Sequence, residues 1–258
     1  AALSYCHDCD FGYFHPTPSR QFLDEFYRAG GGVDDSVPDA TRMRTLESPN
    51  FQGETFQILS LMQLSGVNFA ARPGARALEV GPGYACYAQL FQMLGLEYWA
   101  NEMGQGSSAF LARQFGARVV PGPLEEIPAS LDASFDLVFS KDSFEHHPDP
   151  LASIRRCSRL LRPGGHLVVT VPNLHSKSLQ ALSVTHPYFA FPPHLRYFSR
   201  KSFERALAAE GLRDLSIRTF TFPAEIHYGM EAGIKLGLFK PEGEYLDQLS
   251  ATDGHERL

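Results

Sequence analysis

Glu79, Gly81 and Gly83 stand together in Arg76-Ala77-Leu78-Glu79-Val80-Gly81-Pro82-Gly83-Tyr84. Leu78 and Val80 read as the end of a buried strand, and two glycines one residue apart force a tight turn. The apolar spacing from Ala85 to Leu94 is that of a helix. Strand, glycine turn and helix bring backbone close to a nucleotide-like ligand. Glu79 selects among such ligands, because a carboxylate there repels a pyrophosphate and favours a cation. Cys86 and Tyr87 stand where a dinucleotide fingerprint would carry its third glycine. Glu102 closes the next apolar strand, where a carboxylate can accept hydrogen bonds from both hydroxyls of a ribose. These positions suit capture of a cationic, non-phosphorylated nucleoside. S-adenosylmethionine, with its sulfonium, ammonium and adenosine, has those parts.

Other candidate groups also follow strands. Met103 can pack on an adenine or lie on the surface. In Gly122-Pro123-Leu124-Glu125, Pro123 has no N–H, so Leu124 is the expected backbone donor at the adenine edge. The fourth strand is followed by Ser140-Lys141-Asp142-Ser143-Phe144-Glu145-His146-His147-Pro148-Asp149-Pro150. A histidine titrating near neutrality can take a proton from an acceptor. His146 is the candidate base, with His147 and His194 as alternatives and Glu145 to orient it. Packing against the ligand or capping the next helix is the competing role for His146. Tyr188, Phe189, Phe191, Tyr197 and Phe198 offer an aromatic wall for an apolar or ring-containing acceptor, or a satellite core under a long loop. Cys6 and Cys9, two residues apart, are candidate ligands of a structural zinc, which needs four ligands. His7 and His15 are the nearest donors to complete it.

The 258-residue chain is 43% hydrophobic with a formal charge of −6, enough to bury a full core and too acidic for a large nucleic-acid surface. No apolar run approaches the ~20 residues of a membrane span, and no signal peptide is visible. Four cysteines in this length make no disulfide scaffold, so a reducing cytoplasm is expected. Ser19 to Ala29 reads as a capped helix ended by Gly30-Gly31-Gly32. Val33 to Arg44 reads as a polar lid or linker, and Phe51 to Leu64 as a second helix. After the glycine turn, strands are expected at Leu96–Ala100, Arg118–Pro121, Phe135–Ser140 and His166–Val171. Helices are expected at Ser107–Phe115 and Leu151–Leu161, and a turn at Arg162–Gly165. This alternation predicts an α/β fold with a mostly parallel sheet and helices on both faces. Ligands on such sheets sit beyond the strands' carboxyl ends. Beyond Pro172 a helix to Leu182, a capped helix Ser199–Gly211, a strand Leu215–Phe222 and a helix around Ile226–Leu238 are expected.

The motifs together resemble a class I S-adenosylmethionine-dependent methyltransferase, from about Arg76 to Phe222. Glu79-Val-Gly81-Pro-Gly83 resembles its first motif, and Glu102 its ribose-binding acid. Ser134-Phe135-Asp136-Leu137-Val138 with Glu145-His146 and Asp149-Pro150 resembles its signature around strand four. Leu160-Leu-Arg-Pro163-Gly164-Gly165 resembles the turn before strand five. Pro192-Pro193-His194-Leu195-Arg196-Tyr197-Phe198-Ser199 resembles the acceptor-side segment of a small-molecule branch with ubiquinone-pathway-like enzymes. The opening is similar to sugar C-methyltransferases, which begin with a zinc ribbon. Cys6, Cys9, Pro16, Pro18, Phe26 and Tyr27 match, whereas Asp10 replaces the usual glycine and the other cysteine pair is missing. Pro123 stands where the family often has an acid on the adenine.

The resemblance implies a Rossmann-like, doubly wound sheet of the seven-stranded type with a small N-terminal extension. Its segments are 1–48, a donor-binding domain at 49–222 with an acceptor-side insertion at 173–199, and a C-terminal helix and tail at 223–258. Donor contacts are implied for Glu79, Gly81, Gly83, Tyr84, Glu102, Met103, Gly122, Leu124 and Ser140. Acceptor contacts are implied for Tyr27, Tyr188, Phe191, Arg196 and Tyr197. The implied activity is methyl transfer from S-adenosylmethionine to oxygen or carbon of a small-molecule acceptor, without nucleic acid and with a homodimer as a candidate assembly. Two other readings stay open. One is a donor-binding module without transferase activity. The other is an NAD-dependent oxidoreductase, which Glu79 and the missing third glycine oppose.

Overall fold

A run apolar at every position makes a strand only where both faces are covered. Phe135–Lys141 approaches such a run, with Phe135, Leu137, Val138 and Phe139 apolar, and it is buried from Phe135 through Ser140, the polar Asp136 and Ser140 included. The computed structural model describes residues 2–31, 36–67, 74–176, 179, 186–189 and 193–219. Its strands are β1 (Ala2–Cys6), β2 (Phe11–His15), β3 (Arg76–Val80), β4 (Glu97–Glu102), β5 (Arg118–Pro121), β6 (Phe135–Lys141), β7 (Leu161–Thr170) and β8 (Arg196–Phe198). Its helices are α1 (Arg20–Arg28), α2 (Asp39–Leu46), α3 (Pro49–Leu64), α4 (Ala88–Met93), α5 (Gln105–Phe115), α6 (Pro150–Leu160) and α7 (Arg200–Ala209).

The main sheet is parallel, in the order β5-β4-β3-β6-β7. The chain runs outward from β3 through β4 to β5, then returns to β6 on the other side of β3. Such a reversal opens a crevice at the strands' carboxyl ends. This is the expected α/β, Rossmann-like architecture. Among the described residues the sheet has five strands rather than seven. Residues 215–219 of the expected final strand join no ladder, because Leu215 and Ile217 instead pack irregularly on the core. Residues 220–222 and the expected helix at 226–238 lie outside the described residues.

Three other local expectations change. Asp39–Leu46 is helical rather than a polar lid. Asp39 sits in the first turn, favourable for the helix dipole, and pairs with Arg113 of α5 at 2.5 Å. Arg162 to Gly165 is a bulge inside β7 rather than a turn before it. The register jumps from Phe135↔Leu161 to Leu137↔His166, and a Cβ on Gly165 would lie 3.0 Å from the carbonyl oxygens of Arg162 and Phe135. Residues 173–176 are not helical, since Asn173 bridges to Phe198.

β1 and β2 form a hairpin whose second strand pairs antiparallel with β8. In its turn the Cys9 N–H donates to Cys6 Sγ at 3.4 Å. Asp10 adopts the left-handed φ of 56° that the missing glycine would have supplied. A zinc site nevertheless stays incomplete among the described residues, where no third ligand joins Cys6 and Cys9. Cys86 and Cys157 are buried in the main domain, and burial pushes the Cys86 thiol up to about 12.

Contacts group Ala1–Leu174 with Phe191–Arg218 as one unit and His175–Ala190 with Thr219–Leu258 as another. In the second unit, the His186 and Tyr188 rings lie 4.9 Å apart.

Candidate active site

The glycine turn is held from two sides. Gly81 and Gly83 both have left-handed φ, 64° and 54°, and a Cβ on Gly81 would collide with the Ser143 hydroxyl. Glu102, at the end of β4, accepts the Gly83 N–H at 2.8 Å on one oxygen and the Gly104 N–H at 2.7 Å on the other. One carboxylate thus fixes two loops and keeps lone pairs for a ligand. Beneath the turn, Glu79 is 1% exposed. It accepts the Tyr87 N–H at 3.0 and 3.3 Å and the Tyr98 hydroxyl at 2.7 Å. Helix α4 starts at Ala88 with Tyr87 as its cap residue, three residues later than the apolar spacing suggests. Burial, outweighing these hydrogen bonds, pushes the Glu79 carboxyl up to about 7. Tyr84 carries the Arg42 guanidinium 3.5 Å above its ring.

A cleft of about 240 Å³ opens above the turn. Glu102 and Met103 line it from β4, Leu124 and Glu125 from the turn after β5, and Ser143, His146 and His147 from the segment after β6. Helix α1 forms the opposite wall. Arg20, Leu23, Asp24 and Tyr27 recur at helical spacing and all face the cleft. Its acidic walls, Asp24, Glu102, Glu125 and Asp142, face Arg20 as the one basic wall among the described residues. That bias suits a ligand carrying a sulfonium and an ammonium.

At one end the Tyr27 hydroxyl lies 3.0 Å from His146 Nδ1. His146 Nε2 is 3.8 Å from Glu145 Oε1, and His194 Nε2 is 4.0 Å from the same oxygen. Glu145 is fully buried, and neither carboxylate oxygen has a hydrogen-bond partner among the described residues. Burial first, then the charge of Asp142, pushes its carboxyl well above the usual range. Burial, reinforced by His194 and His147, pushes His146 down to about 3, so the imidazole is neutral at pH 7. One ligand atom from each of Glu145, His146 and His194 falls within 4.8 Å of the others, a spacing that a metal ion could bridge.

The structure therefore brings Gly81, Gly83, Tyr84, Glu102, Met103, Leu124, Tyr27, His146 and His147 to one cleft. Other candidates sit elsewhere. Glu79 and Glu145 lie beneath the wall, out of ligand reach. Ser140 is buried and donates to the Val80 carbonyl at 3.2 Å, tying β6 to β3. Gly122 is not a wall residue, and its carbonyl accepts from Asn101 at 2.8 Å. His147 is no free base, with Nδ1 2.6 Å from Ser153 and Nε2 3.4 Å from Ser143. His194 touches His146, ring centroids 4.8 Å apart, but not the cleft. Arg196 is a strut, donating to Pro148 O at 2.6 Å, Leu195 O at 3.2 Å and Thr17 Oγ1 at 3.2 Å. Tyr197 is buried against Phe14. Tyr188 belongs to the second unit, and Phe191 lies outside the described residues. Sequence reasoning gave no role to the cleft residues Asp24, Asn101 and Ser143. The helical spacing of Arg20, Leu23, Asp24 and Tyr27 was the available signal for α1.

A protein-family model for a methyltransferase domain matches residues 55–217. The chain belongs to that family. This methyltransferase is 36% identical over 110 residues to the ubiquinone biosynthesis O-methyltransferase of Xanthomonas campestris pv. campestris, covering 40% of the chain and 45% of that relative. The chain thus spans less than half the length of those relatives. It is 28% identical to the sarcosine/dimethylglycine N-methyltransferase of Halorhodospira halochloris over 207 residues, 73% of the chain and 68% of the relative. Its fold matches Haemonchus contortus phosphoethanolamine N-methyltransferase 2, solved with phosphomonomethylethanolamine and S-adenosylhomocysteine. That match has a TM-score of 0.57 at 22% identity, over 92% of the chain and 56% of the other protein. The family is that of the class I, S-adenosylmethionine-dependent methyltransferases, and the stapled glycine turn, Glu102 and the acid-lined cleft fit that donor.

Proposed function

We propose that the chain methylates an oxygen or carbon of a small, apolar or ring-containing acceptor, with His146 receiving the acceptor's proton. The Tyr27–His146 contact at the cleft carries this reading. When bound, S-adenosylmethionine supplies a methyl group already activated on sulfur. The protein must align the partners and exclude water. The glycine turn and Glu102 hold one side, and α1 covers the other with Leu23 and Tyr27. The Tyr27 hydroxyl proton has two acceptors in reach, His146 Nδ1 at 3.0 Å and the Pro193 carbonyl at 3.3 Å; when it goes to the nearer one, Nε2 carries the imidazole proton toward Glu145. The acceptor's hydroxyl takes over this place at Nδ1 and passes its proton there. A base with a pKa of about 3 suffices, because the proton on an oxygen gaining a methyl group becomes strongly acidic. Glu145 then faces the imidazolium that forms.

The test is S-adenosylhomocysteine production with a panel of phenols and catechols, comparing the native protein with His146→Ala and Tyr27→Phe. His146→Ala should lower kcat roughly 10²–10⁴-fold with S-adenosylhomocysteine affinity unchanged. With S-adenosylmethionine saturating, the native pH–kcat profile should lack a limb near 6.5. Unchanged kcat in His146→Ala refutes the base. Donor binding with no turnover across the panel favours a donor-binding module.

A further inference from the structure

Glu145 is fully buried, yet neither of its carboxylate oxygens has a hydrogen-bond partner among the described residues. A carboxyl group so placed is costly unless something meets it. Two imidazoles converge on it without closing. Nε2 of His146 and Nε2 of His194 lie 3.8 and 4.0 Å from the same oxygen, Oε1, beyond hydrogen-bond reach. These distances are close to those between two ligands of one metal ion. With metal–ligand bonds of ~2.0–2.1 Å, a tetrahedral site sets its donors about 3.4 Å apart, so the triad has to tighten by about half an ångström.

The fold keeps the three side chains together. Glu145 and His146 are neighbours in the short turn Phe144–His146, and His194 comes from the segment before β8. The Leu195 N–H donates to the Glu145 carbonyl at 2.8 Å, which clamps that segment onto the turn. β8 is itself held by β2. The His146 and His194 rings meet edge to face, with centroids 4.8 Å apart. Both rings are partly exposed while Glu145 is not, so an ion has a way in from the imidazole side. Two imidazoles and one carboxylate suit zinc and its neighbours, whereas magnesium and calcium prefer oxygen donors.

An ion here changes where His146 keeps its hydrogen. The neutral ring carries one. A metal on Nε2 takes that nitrogen's lone pair, so the hydrogen must sit on Nδ1. The surroundings accept this tautomer. Nδ1–H donates to the Tyr27 hydroxyl oxygen across the same 3.0 Å, and the Tyr27 proton turns to the Pro193 carbonyl at 3.3 Å. No lone pair of His146 then faces the acceptor.

We infer that Glu145, His146 and His194 form a binding site for a zinc-class divalent cation, and that filling it silences His146 as a base. The silencing rests on the role proposed for His146 above; the site does not.

Calorimetry with zinc chloride, after removal of bound metal with a chelator, tests the site. The parent protein is Cys6→Ser, Cys9→Ser, which removes the thiols that would also bind zinc. It should take up one equivalent of zinc, and magnesium should not compete. His194→Ala and Glu145→Gln should each weaken zinc binding more than about 100-fold, since losing a ligand exceeds losing an outer partner. Turnover with an accepted phenol tests the silencing. Zinc should lower kcat of the parent at least about tenfold, reversibly with chelator. His194→Ala should keep its zinc-free kcat within about twofold and lose the inhibition. No zinc uptake by the parent overturns the inference whether or not a variant folds. Equal zinc affinity in parent and folded His194→Ala overturns it as well. Zinc uptake with turnover unchanged overturns the silencing. Turnover of no acceptor at all counts against the proposed function, and calorimetry still decides the site.

Discussion

Glu79→Gln tests how the glycine turn is held. The Glu79 carboxyl is raised from 4.5 to about 7, chiefly by burial. A carboxyl whose folded pKa lies above its unfolded one binds its proton more tightly in the folded state. Its contribution to stability is present below about pH 4.5 and is lost as pH rises through about 7. At 1.36 kcal/mol per unit, that loss is about 3 kcal/mol. Gln cannot titrate; its carbonyl in the place of Oε2 can still accept both the Tyr87 N–H and the Tyr98 hydroxyl, but its amide replaces Oε1, losing the 3.3 Å contact of the Tyr87 N–H and burying new donors, which costs about 1–2 kcal/mol at any pH. At pH 5 the native protein should be the more stable of the two. At pH 8 the difference should vanish or reverse. Urea unfolding of both proteins between pH 5 and 8 reads this directly, since every other titrating group cancels in the difference. The ionised carboxylate also favours a cationic donor. Native affinity for S-adenosylmethionine should therefore rise from pH 6 to 8 while that of the variant stays flat. A stability difference constant across this range would refute the buried-carboxyl argument.

Two further substitutions probe the same turn. Gly81→Ala places a Cβ at a left-handed φ and against the Ser143 hydroxyl; it should cost about 1–2 kcal/mol in urea unfolding and abolish measurable S-adenosylhomocysteine binding by calorimetry. Glu102→Ala orphans the N–H groups of Gly83 and Gly104 and removes the ribose acceptor, so donor affinity should fall roughly 100-fold with the secondary structure unchanged by circular dichroism.

The parallel sheet was legible because buried strands and amphipathic helices leave periodic traces. The glycine turn and Glu102 were legible because few residue types serve at those places. Side-chain direction at strand ends was not. Ser140 and Ser143 lie three residues apart, yet one ties strands together and the other faces the cleft. Long-range partners were equally hidden. Tyr27 finds His146 119 residues away, and Arg196 finds Thr17 179 residues away. Neither pairing leaves a pattern in local spacing, since each depends on how α1 and β8 dock. Asp10 shows a milder limit: a left-handed turn reads as glycine, but aspartate also tolerates it.

The pairing of β2 with β8 also sets an order of assembly. Phe11 and Phe198 are register partners, so the first strand pair emerges from the ribosome long before the edge that completes it. At ~5–20 residues per second, the interval is on the order of ten to forty seconds. During that time β2 has an open hydrogen-bonding edge, and α1, which follows it immediately, has no finished wall to close against. The donor crevice of β3, β4 and β6 is synthesised within the same interval. Chain synthesis therefore leaves the donor crevice ahead of its cover, and the cover is secured only when β8 emerges.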